Sequence, residues 1–72
     1  GVPLMLIYVN GEQREVTPGT LVSEVVVRDG ETQPRRGIAV AVDGAVVPRA
    51  RLAETTLTEG AKVEIVTAVQ GG

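Results

Sequence analysis

Hydrophobic positions along this 72-residue chain fall into short clusters set apart by Gly, Pro, Asn and Asp. Leu6-Ile7-Tyr8-Val9 is a run of strand-forming residues, and Asn10-Gly11 closes it. That dipeptide is a strong hairpin signal, because both turn positions need φ > 0. Glu12–Val16 then reads as the return strand, polar enough for a sheet edge. Thr17-Pro18-Gly19 breaks the strand, and Thr20 is placed as the N-cap of a helix. Ser23 rather than an acidic residue stands three positions on, so the capping box is incomplete. Leu21, Val22, Val25 and Val26 recur at i, i+1, i+4 and i+5, which marks one face of a helix. Val25–Val27 pulls the other way, since β-branched side chains have weak helix propensity. The Pro-Gly-Thr start and the Asp29-Gly30 stop favour the helix. Asp29–Gly37 is a polar loop, expected to be mobile, that carries Pro34, Arg35 and Arg36.

In the second half Ile38, Val40 and Val42 alternate with alanines, which suits a fully buried central strand. Asp43-Gly44 supplies a second hairpin turn, and Ala45-Val46-Val47 returns until Pro48 ends it. Arg49–Thr58 is an irregular connection with two buried-type leucines, Leu52 and Leu57. Thr58-Glu59-Gly60 is a turn, and Lys62–Val66 is the last strand, with Val63 and Ile65 inward. The order is hairpin, helix, hairpin, loop, strand, which predicts an α+β domain: one mixed sheet with one main helix packed on one face. Were the last strand to pair beside the first in mid-sheet, the result would be the β-grasp arrangement of ubiquitin. The core predicted from this pattern is Leu6, Val25, Val40, Val42, Val63 and Ile65, with Leu21 and Leu52 partly buried.

Composition narrows the chemistry. Hydrophobic residues make up 43% of the chain, yet Tyr8 is its one aromatic, so the core must be built from Val, Leu, Ile and Ala. Cysteine and histidine are absent. Their absence excludes disulfides, thiolate chemistry, zinc sites of the usual kind and imidazole acid–base catalysis. Ser23 is the sole serine and has no histidine to activate it. No catalytic or metal-ligating residue is therefore assigned, and the chain does not read as an enzyme. A net charge of −2 argues against nucleic-acid binding, for which a basic face is normal. Arg35-Arg36 and Arg49-x-Arg51 are the local basic clusters and read first as solvated side chains. Residues 1–9 are largely apolar, but this is too short for a membrane span and lacks the basic start of a signal peptide. Residues 1–4 read as an expression remnant ahead of Met5, residues 5–68 as the domain and 69–72 as a flexible tail. The expected compartment is the cytoplasm.

That tail ends in Gly71-Gly72. A glycine terminus has no Cβ, so its carboxylate can be threaded down a channel too narrow for other residues. Such a group can be delivered into another protein's active site and activated there. The pattern points to a carrier or modifier whose functional group is its own C-terminus. A frayed end is the plainer alternative.

Several residues together resemble the ThiS family, the ubiquitin-like sulfur-carrier proteins of thiamine biosynthesis, over nearly the whole chain from Met5. They are Val9-Asn10-Gly11 at the first turn, Val47-Pro48-Arg49 after the second hairpin, and Leu57-Thr58-Glu59-Gly60 followed by Val63-Glu64-Ile65 around the final strand. Ala68-Val69-Gln70-Gly71-Gly72 is the most specific piece, since it combines position, composition and chain end. The resemblance implies the β-grasp fold. It also implies that an ATP-dependent adenylating and sulfurtransferase enzyme activates the Gly72 carboxylate, that a persulfide relay converts it to a thiocarboxylate, and that thiazole synthase takes the sulfur. No cofactor is then held by this chain; the ATP is used by the partner.

The residues agree with each step. A free α-carboxyl titrates at about pH 3.5, so Gly72 is ionised without local help. The carrier needs neither base nor thiol, in keeping with the missing His and Cys. Val69, Gln70, Gly71 and Gly72 extended would span about 13–14 Å, enough to reach inside a partner. Val47-Pro48-Arg49 has two readings: a docking face with Arg49 on a partner carboxylate, or a strand terminator beside a solvated arginine. The nearest rival is the small subunit of molybdopterin synthase, whose members usually carry Pro and Phe close to the glycine pair where this chain has Ala-Val-Gln. A second rival is a ubiquitin-like modifier, and Lys62, the sole lysine, would limit chain building. From another class comes a non-covalent β-grasp interaction module that uses its sheet surface alone.

Overall fold

A computed structural model describes residues 3–27 and 36–67. Five strands form one mixed sheet: β1 (Met5–Val9), β2 (Glu12–Val16), β3 (Ile38–Val42), β4 (Ala45–Val47) and β5 (Lys62–Thr67). One α-helix, α1 (Val22–Val26), and a 3₁₀ turn at Arg49–Arg51 complete the regular elements among the described residues. The strand order is β2-β1-β5-β3-β4. β5 lies mid-sheet, parallel to β1 and antiparallel to β3, which is the β-grasp arrangement.

Both hairpins form where the turn dipeptides predict them. Asn10 and Gly11 take φ of 49° and 85°, and Asp43 and Gly44 take 51° and 86°. Two-residue turns of this kind match the right-handed twist of the flanking strands. They set the registers Val9 opposite Glu12 and Val42 opposite Ala45.

The core is one cluster of Ile7, Val9, Val22, Val25, Val26, Val40, Leu52, Leu57, Ala61 and Val63. Three expectations change here. Leu6 is half-buried, and its neighbour Ile7 is fully enclosed. A run of four apolar residues has no alternation of its own, so it does not declare which face is inward. The hairpin does declare it: Val16, the one apolar residue of β2, lies opposite Met5, and odd-numbered β1 residues share its face. Second, Val42 and Ile65 are partly buried and packed against the cluster rather than inside it. Third, β3 is not fully buried, because Ala39 is exposed; among the described residues only one face of the sheet is covered. The remaining expectations stand, with Val25, Val40, Val63 and Leu52 all buried, Leu52 more completely than expected at 3% exposure.

The helix is short, and its start is displaced from the expected one. Thr20 is not the N-cap: its hydroxyl donates to the Thr17 carbonyl at 2.7 Å and closes the Thr-Pro-Gly turn. Leu21 caps instead, in extended conformation, and its N–H donates to the Glu24 carboxylate at 2.7 Å. That is the acidic half of a capping box, with Glu24 in the role that Ser23 could not fill. The Val22 and Ser23 N–H groups donate to the Thr55 and Leu52 carbonyls, so the 49–58 connection satisfies the first helical donors. These bonds, with that from the Leu57 N–H to the Thr20 carbonyl at 2.9 Å, hold Leu52 and Leu57 over the core. α1 ends at Val26, before the expected Asp29-Gly30 stop, which lies outside the described residues. Val27 is already extended, in keeping with the poor helix propensity of consecutive valines.

Candidate functional site

Direction along the sheet organises the rest. β1, β4 and β5 run the same way, with β2 and β3 opposed. One end of the sheet therefore gathers the Asn10-Gly11 turn, the Pro48 that follows β4, and Thr67, from which the chain continues to residues 68–72. The opposite end holds the Asp43-Gly44 turn and the start of β5. The predicted site residues Gly72, Gly71, Gln70 and Val69 lie outside the described residues, as does Arg35.

Pro48 and Arg49 are described, and both are exposed. Pro48 (φ −59°, ψ 149°) ends edge strand β4 and caps the 3₁₀ turn, its carbonyl accepting the Arg51 N–H at 2.8 Å. The fixed φ of proline and its missing N–H suit that post. With neighbouring strands about 4.8 Å apart, Pro48 stands roughly 10 Å across the sheet from the line of β5, at the same end. This places the pair beside the exit of β5, not on it.

The face of the sheet away from α1 carries a feature that the chain pattern did not announce. Val46 is 74% exposed and Val66 59% exposed. Ala41 pairs with Val46 and Ala39 with Val66, so small side chains on β3 separate two exposed valines. The result is an apolar strip across β4, β3 and β5 that leads toward Thr67. Beside it, Tyr8, Lys62 and Glu64 line an open groove of about 610 Å³ that reaches the Asn10-Gly11 turn. Isolated exposed valines are ordinary; here two stand on the same face of the sheet with alanines between them, and exposed apolar patches are the kind of surface on which partners dock. A signal for them existed: Val66 alternates in phase with Glu64 and out of phase with Val63, and the two-residue Asp43-Gly44 turn sets Val46 opposite Ala41, on the face away from Val40.

Among the described residues no cluster of His, Cys, Asp or Glu could hold a metal ion. No helix among them is long and apolar enough to cross a membrane. Ser23 lies on α1, partly buried, with its N–H engaged by Leu52.

Comparison with known proteins agrees with this architecture. No curated protein sequence matches the chain. A solved structure that does match is a crystal structure of a thiamine biosynthesis protein (ThiS) from Geobacter metallireducens, at 26% identity and a TM-score of 0.73, covering 94% of this chain and 100% of that one. The ThiS family model matches residues 7–72, a span that includes both hairpin turns, β5 and the final glycines. On that match, and on a sheet with β5 set between β1 and β3, the chain belongs to the ThiS family.

Proposed function

We propose that this chain carries sulfur for thiamine biosynthesis on the carboxylate of Gly72. The observation that carries the reading is the extent of the family match: it runs through residue 72 and so takes in the terminal glycine pair. The central strand of the sheet leads directly into that segment.

The chemistry divides between the chain and its partners. A Gly72 carboxylate oxygen attacks the α-phosphorus of ATP held by an activating enzyme, and pyrophosphate leaves. A partner persulfide then attacks the acyl carbon and AMP leaves. A second partner thiol breaks the resulting S–S bond, so that the thiol is oxidised to a disulfide and the sulfur remains on Gly72 as a thiocarboxylate. Thiazole synthase receives it. Val69, Gln70 and Gly71 form the thread that enters the partner, and the lack of side chains at 71 and 72 suits a narrow channel. The body contributes a rigid base and a docking face. The strip of Val46, Ala41, Ala39 and Val66 is the apolar part of that face, with Pro48 and Arg49 at its rim. Beyond the Gly72 carboxylate itself the chain offers neither a thiol nor an imidazole, having neither His nor Cys, so the catalytic side chains belong to the partners.

The test is mass spectrometry of the intact protein isolated from its native cells. A fraction heavier by one sulfur-for-oxygen exchange, localised to the C-terminal peptide, is the expected result. Its absence under thiamine-limiting growth would sink the carrier reading. Extending the C-terminus by a few residues should abolish loading by the activating enzyme; retained activity would point instead to an interaction module that uses the sheet face alone.

A further inference from the structure

The two hairpin turns do more than reverse the chain. Each places its first residue, in the left-handed conformation, against the backbone of β5. Asp43 sits at the entry to the strand: its N–H donates to the Lys62 carbonyl at 2.8 Å, and its carboxylate accepts the Lys62 N–H at 3.0 Å. Asn10 sits further along. Its backbone N–H donates to the Val63 carbonyl at 2.8 Å. Its side-chain Oδ1 accepts the Ile65 N–H at 2.8 Å, and its Nδ2 donates to the Ile65 carbonyl at 3.4 Å.

The second arrangement solves a specific problem. β1 pairs with β5 at Tyr8–Lys62 and Val9–Val63 and then turns away. β3 keeps pairing with β5 as far as Thr67. From Glu64 onward β5 would therefore be held from one side only. The Asn10 amide has the donor and acceptor of a peptide group, and it stands where the next β1 residue would have stood. It extends two-sided support to Ile65, two residues before Thr67 and three before the terminal segment begins.

We infer that Asn10 is a positioning residue for sulfur loading: its side chain grips Ile65 and fixes the direction in which β5 delivers the C-terminal segment to the activating enzyme. The inference rests on the carrier function proposed above. A carboxylate that must meet a phosphorus inside another protein gains rate when its base is pre-aligned, and small misplacement at a distance costs heavily. Asn10 touches neither ATP nor the reacting carboxylate, so it acts through β5 alone.

Substitution at this position separates the amide from the turn. Asn10→Gly keeps the positive φ that the turn requires, at no steric cost, and removes the amide. Asn10→Asp keeps an acceptor for the Ile65 N–H but sets a carboxylate against the Ile65 carbonyl. Asp43→Gly is the control, since it removes the matching side-chain bond at the far end of β5. Two readouts are taken on the full chain: amide hydrogen exchange of the free protein, and steady-state adenylation with the ATP-dependent activating enzyme.

For Asn10→Gly, exchange at Ile65 should rise about ten-fold with Val63 unchanged. Its kcat for adenylation should fall about ten-fold at constant KM for the carrier, because the docking face is intact. Asn10→Asp should fall between it and the wild type. Asp43→Gly should loosen Lys62 and leave kcat unchanged. Normal kcat in Asn10→Gly despite fast Ile65 exchange would overturn the inference while leaving the carrier reading in place. Equal losses of kcat in Asn10→Gly and Asp43→Gly would also overturn it, since general loosening would then explain both. Wild-type protein that is not adenylated at all would remove the carrier reading and the inference together.

Discussion

The two faces of the sheet use nearly the same residues for opposite purposes. Beneath α1, Ile7, Val9, Val40 and Val63 are closed off from water and meet Val22, Val25 and Val26 from the helix. On the other face, Val46 and Val66 stand in solvent with alanines between them. β-branched residues serve both faces because they fit a pleated surface whether or not something covers it. Valine content thus reports that there is a sheet and says little about which side folds the protein. The two faces should separate sharply once stability and partner recognition are measured apart.

The sharpest contrast is expected at Ile7. Ile7→Ala removes a fully enclosed side chain and should cost about 2–4 kcal/mol, most of what a domain of this size holds. Chemical denaturation should show it largely unfolded, and a loss under 1 kcal/mol would mean that Ile7 is not the core anchor. Val42→Ala tests the boundary between the faces. Val42 is partly buried, and the expected cost is about 1–2 kcal/mol, so a cost equal to that of Ile7→Ala would erase the gradation. On the open face, Val46→Lys with Val66→Lys should move stability by no more than about 0.5 kcal/mol per site. The same pair should raise KM for the carrier in pyrophosphate exchange about ten-fold, as two central apolar contacts are lost. Unchanged KM would show that partners dock elsewhere. Gly71→Val should have the smallest thermal effect, within about 0.5 kcal/mol. Its loading with sulfur should nevertheless fall steeply, because a β-branched residue cannot follow a path sized for glycine. Thiocarboxylate formation at the normal rate would break the threading argument, and loss of the fold would make the glycine structural.

What could be read in advance depended on whether a local constraint had a single solution. Asn10-Gly11 and Asp43-Gly44 were legible because few dipeptides tolerate two positive φ angles. With them came the hairpins and the register of four of the five strands. Pro48 was legible as a strand terminator for a similarly local reason. The inward phase of β1 was not, because Leu6, Ile7, Tyr8 and Val9 are all apolar, and only the long-range pairing of Met5 with Val16 decides it. The helix start was misplaced by one residue because Thr20 and Glu24 offer rival caps; the tertiary bonds that the Val22 and Ser23 N–H groups donate to the Thr55 and Leu52 carbonyls select Leu21. The side chain of Asn10 was unreadable in this sense too. Its turn role is local, while its grip on Ile65 spans 55 positions in the chain.

The place of β5 also bears on how the protein comes into being. β1 has as its inner neighbour β5, and the two pair in parallel across 54 positions, Val9 with Val63. Contacts this distant are slow to form and cannot begin until β5 has been made. During synthesis, the segments before Lys62 can build the two hairpins but cannot join them, since the strand that lies between them is missing. The domain therefore closes only when the residues leading to Gly71-Gly72 have been added. A product cut short within β5 loses the middle of its sheet as well as its terminus, and should be recognised as unfolded and degraded instead of competing for partners with an inert end.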